Sequence, residues 1–116
     1  MKVPKVNNEA YKTAFVIPIG TSKVLEDDGW EFEGNGRLSP KLVDSIAAKF
    51  GLIKAHTYSG IVVYSGSSLK MSVVLDDSGE IEHLSIQIFT GDVENVQADL
   101  LAITRDLADV FVPSLR

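Results

Sequence analysis

Two histidines, one serine–glycine pair and two runs of carboxylates are the residues in this 116-residue chain whose chemistry could be put to use. His83, between Glu82 and Leu84, carries an imidazole that can serve as a general base or as a pH-sensitive contact. His56 stands two residues before Tyr58, in a stretch that reads as a strand. Neither has a second ligand at metal-binding spacing, since no His-x-Glu or His-x-x-x-His occurs. Tyr64-Ser65-Gly66 resembles a fragment of a nucleophile elbow, but Val63 stands where a glycine is needed. Glu26, Asp27, Asp28, Glu31 and Glu33 could gather oxygens around a divalent cation. They lack the alternating ligands and later bidentate Glu of a calcium loop. Asp76-Asp77-Ser78-Gly79-Glu80 fails the same test and reads as a solvated hairpin tip. Gly34-Asn35-Gly36 is too short to cradle a phosphate. No metal and no cofactor is expected.

Trp30 is the sole tryptophan, and Asp27, Asp28, Glu31 and Glu33 surround it. An aromatic ringed by acids can anchor a Lys/Arg-rich partner. The plainer alternative is a tryptophan that caps one end of the core. The chain carries 16 acidic and 11 basic residues, a formal charge of −5. That balance repels phosphate backbones, so nucleic-acid binding is disfavoured, and it attracts a basic protein. It also matches the ordinary solubility of many mildly acidic bacterial cytosolic proteins. There is no cysteine, no apolar run near the roughly 18 residues of a membrane span, and no signal-peptide pattern after Met1-Lys2-Val3-Pro4-Lys5. A cytoplasmic protein is the expectation, with no membrane partner.

The elements that must position these groups centre on a β-hairpin, 68–90. Leu69, Met71, Val73 and Leu75 alternate with Lys70, Ser72 and Val74, and Leu84, Ile86 and Ile88 resume the alternation. Placing both apolar sets on one face fixes the register. It pairs Val73 with Leu84, Met71 with Ile86 and Leu69 with Ile88, and leaves Ser78 and Gly79 at the tip. On the other face Lys70, Ser72, Val74, His83, Ser85 and Gln87 would be open to solvent.

Around the hairpin, Ser39 and Pro40 start a helix at 39–50, with Leu38 and Val43 as its staple and Gly51 as its stop. Asp92 starts a second helix. Val93, Val96, Leu100, Ile103, Leu107 and Val110 form a stripe that extends it to 111, and Arg105 can pair with Asp109. Residues 53–58 and 60–65 supply one bent strand or two short ones around Gly60. Phe15–Ile19 reads as an edge strand, or one that stops at Pro18, because proline lacks a donor. Residues 20–36 are the least regular, with a turn at 26–29 and an exposed strand at 30–33. Residues 1–13 read as a loosely ordered arm, with one helical turn begun by Asn8.

The expected architecture is a single α+β domain over 1–116: an antiparallel meander of three to five strands with both helices on one face. Two functional readings follow. One is a non-catalytic acidic interaction module, of the immunity or inhibitor type, that binds a basic protein through Asp27, Asp28, Trp30, Glu31 and Glu33. The other is a small enzyme or ligand-binding domain with a site near His83 or His56, or under the 20–36 loop. Self-association as a homodimer, through the open sheet face or an edge strand, is a third.

Overall fold

The computed structural model describes residues 12–89 and 92–113. The hairpin formed by β6 (Leu69–Leu75) and β7 (Ile81–Ile88) lies within the sheet, in the register that alternation requires. Val73 faces Leu84, Met71 faces Ile86 and Leu69 faces Ile88. All six side chains are buried on one side, and each fully buried Leu, Ile or Met contributes roughly 1.5–3 kcal/mol. At the tip, Gly79 adopts φ of 84°, and the Asp76 carboxylate accepts hydrogen bonds from the Ser78 and Glu80 amides at 2.8 and 2.9 Å. The pairing skips one residue there, from Val74–His83 to Leu75–Ile81. The extra residue, Glu82, is a bulge that turns Ile81 into the core.

The fold is α+β with a larger sheet than predicted. Six strands run in the order β4 (Ile53–Tyr58), β5 (Ile61–Ser65), β6, β7, β1 (Lys12–Ile17), β8 (Asp109–Phe111), with a separate two-stranded sheet of β2 (Ser22–Glu26) and β3 (Gly29–Glu33), instead of three to five strands. β4 (Ile53–Tyr58), β5 (Ile61–Ser65), β6 and β7 form the expected meander, with a turn at Ser59-Gly60. β1 (Lys12–Ile17) joins its far edge, antiparallel to β7, and so is not an edge strand. Pro18 instead lies one residue past its end, where no ladder bond is lost. Lys12 and Thr13 belong to this strand and not to an arm. The expected turn at Asn8 lies outside the described residues.

The first helix, α1 (Pro40–Phe50), has the predicted punctuation. Ser39 Oγ accepts from the Lys41 amide at 3.1 Å, Gly51 is left-handed at φ 66°, and the Leu52 amide donates to the Ala47 carbonyl at 2.8 Å. The second, α2 (Val93–Thr104), ends seven residues before the expected 111. Arg105 turns the chain at φ 37°, and Asp109–Phe111 forms β8 against β1. Val110, Phe111 and Val112 have the β-branched and aromatic composition of a strand, which decides the matter against a stripe that only mimics helical spacing. Leu107 is 64% exposed, and Asp109 faces Ile17 in the ladder, so the expected Arg105–Asp109 pair is not formed. Asp92 occupies the N-cap position without capping a backbone amide, and its carboxylate accepts from Asn95 Nδ2 at 2.9 Å.

Leu42, Val43 and Ile46 of α1 and Val96 and Leu100 of α2 pack with Ala14, Val16, Met71, Leu84 and Ile86 in one core. Both helices therefore cover the same side of the sheet. The other side is not open as expected: Lys70, Ser72, His83, Ser85 and Gln87 are half-buried. The cover near β1, β7 and β8 is the hairpin of β2 (Ser22–Glu26) and β3 (Gly29–Glu33).

Candidate functional site

The hairpin β2–β3 grows out of the least regular stretch of the sequence. The turn after β1 is closed by Thr21, whose amide and Oγ1 both donate to the Pro18 carbonyl, at 3.2 and 2.7 Å. From there the register sets Lys23 opposite Phe32 and Leu25 opposite Trp30. Directly paired residues share a face, so Trp30 and Phe32 point one way and Glu31 and Glu33 the other. Trp30 and Phe32 are half-buried, whereas Glu31 and Glu33 are exposed.

The inward face meets aromatic residues from three strands of the main sheet. Phe32 lies 5.0 Å from Phe15 of β1, 5.0 Å from His83 of β7 and 6.3 Å from Phe111 of β8, ring centre to ring centre. Trp30 meets Phe111 edge-on at 4.8 Å, and Lys23 Nζ sits 5.5 Å over the same ring. Tilted and edge-to-face rings at these distances contribute about 0.5–1.5 kcal/mol per pair beyond their buried area. Ile17, fully buried yet outside the helix-side core, completes this second apolar layer.

The outward face of the hairpin is acidic. Glu26, Glu31 and Glu33 project away from the sheet, and Asp27 and Asp28 form the exposed turn. None of the five has an ion-pair partner among the described residues, where Arg37 and Asp76 form the pair that is seen, at 2.8 Å. Sequence reasoning had grouped these acids with Trp30 as one contact. The alternation separates them, with Trp30 turned to the sheet and the carboxylates to solvent.

The two histidines are not brought together. His56, on β4, pairs with Val63 of β5 and lies three strands from β7, thus at least about 14 Å from His83. It is exposed and stacks on Tyr58 at 5.4 Å. His83 instead lines a small cleft with Pro18, Thr21, Phe32, Gly34, Gly36, Arg37 and Glu82. Burial pushes its pKa below the ordinary 6.5, against the opposing pull of Glu82. The cleft holds about 40 Å³, and one water needs roughly 10–15 Å³, so a few waters fill it. An organic substrate does not fit.

No family model, no curated protein and no solved structure matches the chain.

Among the described residues no cluster of three or more His, Asp or Glu side chains could hold a metal ion, and no helix is long and apolar enough to cross a membrane. Ser65 closes β5 between Ile53 of β4 and Lys70 of β6, so neither imidazole is its strand partner. Phe15, Arg37 and Phe111 are the members of this site that the sequence reading missed. One signal was available: Phe15–Ile19 is continuously apolar rather than alternating, the pattern of a strand covered on both faces.

Proposed function

We propose that this protein is a non-catalytic binding module that presents the acidic face of its β2–β3 hairpin to a basic protein, in the manner of an inhibitor or immunity protein. One observation carries the reading. Trp30 and Phe32 pack on rings of the sheet and hold the backbone that carries Glu26, Asp27, Asp28, Glu31 and Glu33, none of which has an ion-pair partner among the described residues. An anionic surface on a held backbone speeds encounter with a basic partner and loses little backbone freedom when the partner docks. A catalytic role for His83 has less support, because the cleft that its ring lines has room for only a few waters.

Affinity capture from the native host tests the proposal. The wild-type protein should enrich a basic protein at low salt, with recovery falling as ionic strength rises. The double variant Asp27→Lys, Asp28→Lys should lose that protein. Equal recovery by both forms, or no basic protein at low salt, would overturn the assignment.

A further inference from the structure

Among the described residues His83 is the one ionisable residue whose ring is part of the interface between the hairpin and the sheet. It touches Phe32 of the hairpin at 5.0 Å and Phe15 of the sheet at 6.3 Å, and one side of it lines the cleft below the 34–37 loop. We propose that His83 is a pH-sensitive latch, holding the β2–β3 hairpin on the sheet when neutral and loosening it when protonated. The consequence for partner binding rests on the function proposed above; the latch itself does not.

Every packed element contributes a charge to consider. On β7, Glu82 favours the imidazolium. Across the cleft stands Arg37, which opposes it, and Asp76 already neutralises part of that guanidinium at 2.8 Å. Lys23 of β2 is held over Phe111 and also opposes it. Glu31 and Glu33 of β3 point away from the sheet, and Asp109 of β8 pairs with Ile17 at the exposed end of that strand. On β6, Val74 is the residue opposite His83, and Lys70 lies four positions further along. Among the described residues Glu82 is the carboxylate that acts on the ring, and the rings around it desolvate the charge. Burial therefore prevails, and the docked imidazole prefers to be neutral.

The sign follows from linkage. A histidine with a lower pKa docked than free binds fewer protons in the docked state. Docking is then at full strength above the free value of 6.5, weakens as pH falls below it, and levels off below the docked value. Each unit of separation is a tenfold loss in the docking constant. Acid would loosen the hairpin while the helix-side core, which contains no histidine, stays folded.

Trp30, the only tryptophan, reports on docking through its contact with Phe111. Trp30 emission should shift to the red between pH 7.5 and 5 while far-UV circular dichroism stays constant. His83→Phe should abolish the shift, and His56→Gln should leave it in place. In the wild-type protein, the Trp30 indole resonance should titrate in step with the His83 imidazole resonances, a readout that needs no variant. Flat emission in the wild type, an unchanged shift in His83→Phe, or an indole titration out of step with the His83 imidazole would overturn the latch. These outcomes are read without a partner, so they fail or succeed independently of the capture experiment.

Discussion

Phe32→Ala is the most informative single substitution, because Phe32 meets three rings of the main sheet at once. Removing a fully buried phenylalanine costs about 3–5 kcal/mol. Phe32 is half-buried, so roughly half of that, about 2 kcal/mol, is expected from area, and the ring-edge contacts add to it. A loss of 2 kcal/mol lowers a docking constant about thirtyfold. Urea titration followed by two probes would separate the hairpin from the rest. Wild-type transitions by Trp30 emission and by far-UV circular dichroism should coincide. In Phe32→Ala the emission transition should move to lower urea than the dichroism transition, as expected when one unit opens before the whole. A stability loss below about 0.5 kcal/mol, the scale of ordinary surface changes, would show that the rings do not hold the hairpin.

Other substitutions probe separate parts of the fold. Gly36→Ala would bring its Cβ to 2.7 Å from Pro18 Cβ, and a proline ring cannot swing aside. Thermal melting should show a loss of about 1–3 kcal/mol, the usual cost of overpacking. Asp76, held below the ordinary carboxylate range chiefly by its hydrogen bond from Arg37, adds stability above pH 3.8 that disappears as pH falls through its lowered value. Acid titration of Asp76→Asn should therefore show a shallower loss of stability in that range than the wild type. Leu107→Lys should change stability by less than about 0.5 kcal/mol because Leu107 is exposed, whereas a helix running to 111 would have made it a core residue.

The central hairpin was legible because two runs of period-2 alternation share one register in which both are buried. The first helix was equally plain, since Ser39, Pro40 and Gly51 each act within a few residues of themselves. The chain after Thr104 misled for a physical reason. Val93 to Val110 keeps apolar residues three and four apart, but the backbone turns at Arg105, and Val110 and Phe111 gain more by pairing with β1. The candidate site was half visible. Its carboxylates and Trp30 stood out by type, while the ring cluster depends on contacts between Phe15, Phe32, His83 and Phe111, which are up to 96 positions apart and carry no local signal.

Pro18 and Gly36 abut, and Gly34 lies beside Thr21, so the excursion from 18 to 36 leaves and re-enters the body of the protein at one place. Such a segment behaves as a cassette. It can be lengthened, exchanged or recoded in charge without rethreading the six strands or moving either helix, so one scaffold can be refitted to meet different targets.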